Sequence, residues 1–228
     1  MSEMSTEGPV KRLLVTGGGT AGHVVPALPI MQAFIDEGTR VDFIGSGSDF
    51  ERTLIADLDA TYHGIAAGKL RRYFSFENLL DAFKVVIGML QALLLIGRLR
   101  PTVVFSKGGF VSFPVAFAAW CWRVPVVAHE SDLTPGLANR LAMPFVRSLC
   151  TNFPATRPQR FAGDLVYTGT PVRTELLNGD AAAGRQLVEA QAGQPVIVVT
   201  GGSLGADRIN AVVREAAAGL CSRAVVVH

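Results

Sequence analysis

A histidine set directly behind a glycine cluster is the first group in this chain that could serve as a catalyst. The apolar run Leu13-Leu14-Val15-Thr16 ends in Gly17-Gly18-Gly19-Thr20-Ala21-Gly22, and His23 follows where a helix would begin. Glycine lets the backbone turn sharply and approach a ligand, and the helix start behind it offers free N–H groups suited to phosphate. An imidazole there titrates near neutrality and can take a proton from whatever the turn holds. A second turn of the same build, Thr200-Gly201-Gly202-Ser203-Leu204-Gly205-Ala206, follows the apolar run 196–199. A third, Ser106-Lys107-Gly108-Gly109-Phe110-Val111-Ser112, adds an ammonium that can meet an anionic group. His129-Glu130-Ser131-Asp132 closes the apolar run 124–128, and polar groups at the carboxyl end of a buried parallel strand fall where α/β sheets bind ligands. Glu130 and Asp132 would serve equally as caps of the next helix. Arg173, behind Pro171, offers one more cation.

The elements that must position these groups alternate. Strands are expected at 12–16, 40–45, 62–65, 102–105, 124–129, 149–152 and 166–168, with helices at 24–37, 50–57, 76–99, 114–122 and 135–142. Such alternation predicts an α/β fold with a parallel sheet covered by helices on both faces. A first domain is expected over 1–168. Over 169–228 a linker, a helix at 181–192 and strands at 196–200 and 224–228 make only the opening of a second such domain, so the chain reads as truncated.

Bulk composition narrows the class. With 49% apolar and 18% charged residues the chain is globular, and a net charge of +2 gives no reason to expect a nucleic-acid partner. Cys121, Cys150 and Cys221 are scattered and odd in number, the pattern of reduced, buried thiols in a cytosolic protein. The polar start, with Glu3, Glu7 and Pro9, lacks the apolar core of a signal peptide, which places the expected site of action on the cytoplasmic side. No spacing of His, Cys or carboxylates suits a metal, and neither metal nor cofactor is expected.

The segment 85–96 is strongly apolar but shorter than the roughly 20 residues of a bilayer span, and it contains Gln91. It reads as a buried helix of the sheet layer. The stretch before it mixes Lys69, Arg71 and Arg72 with Tyr73, Phe74 and Phe76. That mixture fits either a solvated basic loop or a loop resting on an anionic membrane surface.

Taken together, the motifs resemble the MurG family of peptidoglycan N-acetylglucosaminyltransferases. The resemblance rests on five ordered blocks, 18–23 with Pro26, 107–112, 125–139, 169–173, and 201–206 with Asn210. It implies a GT-B architecture of two Rossmann-like domains and inverting transfer of N-acetylglucosamine from UDP-N-acetylglucosamine to an undecaprenyl-pyrophosphoryl-N-acetylmuramyl-pentapeptide. No obligatory metal is implied. Thr20, Ala21, Gly22, Asp132, Arg173 and Ser203 match donor-contacting positions, and His23 and Glu130 match residues near the reacting centre. The glycine turns, with Gly18, Gly19, Lys107, Gly108 and Gly109 on the acceptor side, would hold pyrophosphates. His23 is the first candidate base, with Glu130 orienting it or replacing it. The first domain would dock on the cytoplasmic face of the membrane, where other cell-wall synthesis proteins are possible partners. Three positions depart from the family pattern. Ala21 stands for glycine, Ser131-Asp132 for Gln-Asn, and Leu204 for glutamine.

Two other readings stay open on the sequence. Gly17 to Gly22 formally satisfies the dinucleotide pattern G-x-G-x-x-G, and Asp42 on the second strand stands where a ribose-binding acid would. A chain of this length also suits a non-catalytic module that binds acceptor or membrane alone.

Overall fold

The computed structural model describes residues 10–68, 77–158, 161–202 and 205–228, with the backbone alone for 77–82 and Thr174. The basic loop carrying Lys69, Arg71, Arg72 and Phe74 lies outside these residues, as does Ser203.

The chain divides into two units, one running to Arg173 and the other from Thr174 to His228. The first is built on seven strands: β1 (Arg12–Thr16), β2 (Arg40–Gly45), β3 (Ala60–Gly64), β4 (Val103–Ser106), β5 (Val126–Glu130), β6 (Ser148–Thr151) and β7 (Asp164–Tyr167). They form one sheet in the order β3-β2-β1-β4-β5-β6-β7, and every pairing is parallel. The helices are α1 (Ala21–Val24), α2 (Leu28–Asp36), α3 (Asp49–Ala56), α4 (Glu77–Leu99), α5 (Ser112–Cys121) and α6 (Leu137–Ala142). A 3-10 turn at Val25–Ala27 joins α1 to α2, so the expected single helix is present with a tightened middle.

Side chains alternate across a strand, and each face of the sheet takes its own core. Leu13, Val15, Val41 and Phe43 pack with Val24, Met31 and Ile55 from α1, α2 and α3. Leu14, Ile44 and Val104 pack with Ala92, Ile96, Val115 and Ala119 from α4 and α5. Burial on both faces explains the near-continuous apolar runs of β1, β2 and β4.

Helix α4 departs from the expected buried helix. Ala92, Ile96 and Leu99 face the sheet, whereas Phe83, Ile87, Leu90 and Leu94 are exposed. Gln91, which argued against a bilayer span, accepts the Ala66 N–H at 2.6 Å and ties the helix to the segment after β3. Among the described residues no helix is long and apolar enough to cross a membrane. The thiols also differ from expectation. Cys121 and Cys221 are exposed, and only Cys150 is partly covered, where burial pushes its thiol pKa up.

The second unit holds α7 (Thr174–Leu177), α8 (Ala181–Leu187), β8 (Val196–Val198), α9 (Asp207–Cys221) and β9 (Val225–Val227). Its two strands pair in parallel. The first unit ends at Arg173, a little beyond the expected 168. Thr168 and Gly169 donate their N–H groups to the Thr151 carbonyl, and His129 Nε2 lies 2.9 Å from the Gly169 carbonyl.

Asp42 is fully buried under the α4 face and belongs to the other end of the sheet from the glycine turns. Arg12 donates to it from Nε and Nη2 at 2.6 and 3.1 Å, and His63 Nε2 lies 2.9 Å away. This commitment removes the acid on which the dinucleotide reading rested. Burial alone would raise the Asp42 pKa, but the hydrogen bonds from His63 and Arg12 and the Arg12 charge outweigh it and hold the carboxyl below its ordinary value. A depressed carboxyl pKa adds stability that is present above the unfolded value of about 4 and is lost as pH falls through the folded value. Asp42→Asn is expected to lower unfolding free energy by about 2 kcal/mol at pH 7 by leaving Arg12 uncompensated. Urea unfolding at pH 7 and pH 3 checks this, and the difference between variant and wild type should shrink at the lower pH.

Candidate active site

The strand order reverses between β1 and β4, and it is at the carboxyl ends of β1, β4 and β5 that the polar motifs meet. The turn after β4 lies directly on the turn after β1. A Cβ added to Gly109, whose φ is +88°, would stand 2.2 Å from the Gly18 carbonyl oxygen. This is backbone resting on backbone, so only glycine fits.

His23 is seated on the same junction. Its Nδ1 is 3.3 Å from the Lys107 carbonyl oxygen. A carbonyl can only accept, so Nδ1 carries the proton and Nε2 keeps a lone pair. Burial lowers the His23 pKa below its ordinary value; the Lys107 carbonyl and the Glu130 and Asp132 charges oppose that shift, while the Lys107 ammonium adds to it. The imidazole is therefore neutral at physiological pH, the form a general base requires.

Lys107 is almost fully buried, and its Nζ donates to Ser131 Oγ. Burial pulls its pKa down, against Glu130 and Asp132, whose charges support the ammonium. His129 is also buried. Its Nε2 meets Gly169, and its pKa is lowered chiefly by burial.

Glu130 departs from the role of orienting or replacing His23. Its Oε1 accepts the Asp132 N–H at 2.9 Å, while Oε2 accepts the Gly136 N–H at 3.0 Å and Asn139 Nδ2 at 2.8 Å. It makes no hydrogen bond to His23. With three donors on a buried carboxylate, it anchors the loop from β5 to α6, where Gly136 is the N-cap. Its reach to His23 and Lys107 is electrostatic.

Two residues of the site had gone unnoticed in the sequence. Glu51 of α3 is buried beneath the first glycine turn. It accepts the Gly19 N–H at 2.9 Å, Ser46 through N and Oγ, and the Tyr62 hydroxyl at 2.8 Å. The Gly19 N–H is thus already committed, and a bound anion would draw on Lys107 and the other amides. Burial and the Glu51 carboxylate push the Tyr62 pKa up. Asn139 is the second. It lies buried beside Gly108, where an added Cβ would stand 3.3 Å from its Oδ1 and 3.4 Å from His23 Nδ1. That Oδ1 has no partner among the described residues. For Glu51, the capping-box spacing from Ser48 at the start of α3 was the available signal; for Asn139, its helical spacing of three from Ala142 on α6.

The remaining candidates lie outward. Thr20 and Gly22 are exposed at the turn, Ala21 is half-buried, Asp132 is exposed at the rim, and Arg173 is exposed where the first unit ends. The structure gathers His23, Lys107, Glu130 and the glycines 18, 19, 108 and 109 but does not bring Arg173 among them. Among the described residues no group of three or more His, Cys, Asp or Glu side chains could hold a metal.

Comparison with known proteins bears on this geometry. Residues 13–151 match the glycosyltransferase family 28 N-terminal domain. A Legionella pneumophila UDP-N-acetylglucosamine–N-acetylmuramyl-(pentapeptide) pyrophosphoryl-undecaprenol N-acetylglucosamine transferase is 49% identical over 95% of this chain and 60% of its own length. A transferase of the same name from Lachnospira eligens is 47% identical over 96% of this chain and 62% of its own. The crystal structure of Acinetobacter baumannii MurG superposes with a TM-score of 0.67 at 25% identity, covering 92% of this chain and 58% of that one. The chain thus spans about three-fifths of the length of the curated relatives it matches.

Proposed function

The chain belongs to glycosyltransferase family 28, and from that premise we propose that it serves the transfer of N-acetylglucosamine from UDP-N-acetylglucosamine to undecaprenyl-pyrophosphoryl-N-acetylmuramyl-pentapeptide in peptidoglycan synthesis. The observation that carries this reading is the pairing of His23 Nδ1 with the Lys107 carbonyl, which aims a free Nε2 lone pair from the junction of two glycine turns.

His23 Nε2 takes the proton of the acceptor's C4 hydroxyl as that oxygen attacks the anomeric carbon of the donor. The bond from that carbon to UDP breaks on the opposite side, its electron pair stays on the departing phosphate, and the configuration inverts. Lys107 and the amides of Gly18, Gly108 and Gly109 suit the acceptor pyrophosphate; Glu51 fixes the turn that carries Gly18, and Glu130 fixes the loop from β5 to α6. Thr20, Ala21, Gly22, Asp132, Arg173 and Ser203 are the donor-side candidates. The exposed stripe of α4, with Trp122 beside it, suits docking on the cytoplasmic face of the membrane.

The test uses UDP-N-acetylglucosamine labelled in the sugar and the lipid-linked acceptor in vesicles. The chain is assayed alone and with the C-terminal portion of the Legionella pneumophila relative. Acceptor binding by the chain and label transfer in the complemented mixture are expected. Transfer by the chain alone rejects the binding-module reading. Tight NAD(H) binding with no response to UDP sugars rejects the transferase.

A further inference from the structure

Lys107 serves the site twice. Its carbonyl oxygen seats His23 through Nδ1 at 3.3 Å, and its Nζ donates to the hydroxyl of Ser131, the first residue beyond β5. Lys107 is only 1% exposed, so its ammonium has little surface of its own to offer a ligand, whereas Ser131 is half-buried. An ammonium can only donate, so the bond from Nζ uses a lone pair of Ser131 Oγ and leaves the hydroxyl proton free. Among the described residues that proton has no acceptor. The backbone around it is held firmly. The Ser131 carbonyl accepts Asn152 Nδ2 at 3.1 Å, the Asp132 N–H goes to Glu130 Oε1 at 2.9 Å, and the Asp132 carbonyl accepts Thr156 Oγ1 at 3.4 Å. Ser131 Oγ is thus placed by more than Lys107 alone.

Burying an ammonium costs free energy unless its partners compensate. A lysine kept for stability alone would be expected on a carboxylate, yet Glu130 spends its oxygens on Asp132, Gly136 and Asn139, and Lys107 bonds a neutral hydroxyl instead. We propose that Ser131 is a phosphate-binding residue, its hydroxyl donating to an oxygen of a bound diphosphate and carrying the charge of the Lys107 ammonium to it. An oxygen that accepts from an ammonium is polarised, and its own proton becomes a stronger donor. Low local dielectric strengthens both bonds. Recognition and catalysis are joined in this way, because the residue that seats the base His23 also seats the phosphate donor. The inference rests on the reading that diphosphate-bearing substrates bind at these turns, and it names the side chain that meets them.

Inorganic pyrophosphate is titrated calorimetrically into the wild-type chain, Ser131→Ala, Ser131→Thr, Lys107→Met and Lys107→Met/Ser131→Ala, with a thermal midpoint recorded for each. Ser131→Ala is expected to bind about 10–100-fold more weakly, the usual worth of a hydrogen bond to a charged group, and Ser131→Thr, which keeps the hydroxyl, to restore most of that loss. The double variant is expected to bind no more weakly than Ser131→Ala, because the ammonium acts only through the hydroxyl. Wild-type affinity in Ser131→Ala, or no binding by the wild type, overturns the site. A loss in the double variant equal to the product of the two single losses overturns the relay and shows that Lys107 meets the phosphate itself. Where Ser131→Ala does not fold, the double variant leaves no ammonium unpaired, and equal affinity of that variant and Lys107→Met overturns the contact. The complemented mixture separates the sources of the diphosphate. In Ser131→Ala a raised KM for the lipid-linked acceptor, with that for UDP-N-acetylglucosamine unchanged, is expected and assigns the acceptor; the converse retains the site and assigns the donor. Transfer with kcat and both KM values unchanged overturns the site and leaves the transferase reading standing. Pyrophosphate binding through Ser131 without any sugar transfer retains the site and counts against the transferase.

Discussion

His23→Gln lowers turnover of the complemented enzyme by about 10²–10⁴-fold, the usual contribution of a positioned general base. Glutamine fills similar space and can still donate a hydrogen bond to the Lys107 carbonyl, but it has no lone pair of comparable basicity to replace Nε2. Acceptor binding is therefore retained while kcat falls. The pH dependence gives a second reading. Burial holds the His23 pKa below 6.5, and the base acts when unprotonated. The rate should stay on its plateau at pH 7 and fall only as pH drops below about 6.5. In the variant that acid limb should disappear. Unchanged turnover, or an acid limb that survives the substitution, removes His23 as the base.

Gly109→Ala carries the largest expected cost in stability. The methyl group would stand 2.2 Å from the Gly18 carbonyl oxygen and 3.1 Å from its nitrogen, and φ is +88°. The clash is with backbone, so no side-chain rotation relieves it, and the two glycine turns must separate. Backbone strain and overpacking each cost about 1–3 kcal/mol, and a total of about 3 kcal/mol is expected. For a domain of this size that lowers the thermal midpoint by roughly 6–12 °C. Gly38→Ala separates the two contributions. Its φ is +77°, and nothing lies within 4 Å of an added Cβ. It should therefore cost about 1 kcal/mol from strain alone. Equal midpoints for the two variants would mean that the turns do not bear on each other. Separation of the turns should also cost activity, because His23 is seated on Lys107 at their junction.

Much of the fold was legible because its signals are local. Apolar runs ending in glycine marked β1, β4 and β8, and Pro101 marked the end of α4. Some errors were equally physical. Segment 85–96 read as fully buried because its apolar residues surround the helix, and only packing decides which side meets the sheet. The cysteines read as buried because small apolar residues usually are, yet Cys121 lies at the exposed end of α5.

The sequence by itself determined the kinds of chemistry available. It named a histidine, a lysine and glycine turns at strand ends, because residue type and position within a strand–turn–helix unit suffice for that. Only the tertiary structure decided which of them work together. Strand order placed β4 between β1 and β5, turning three separate motifs into one site. Hydrogen-bond partners drawn from distant segments gave Glu51 to the first glycine turn and Asp42 to Arg12 and His63, whereas Glu130 went to its own loop. A buried polar group takes whatever partner the folded chain brings to it, and that choice depends on long-range pairing that local pattern does not encode.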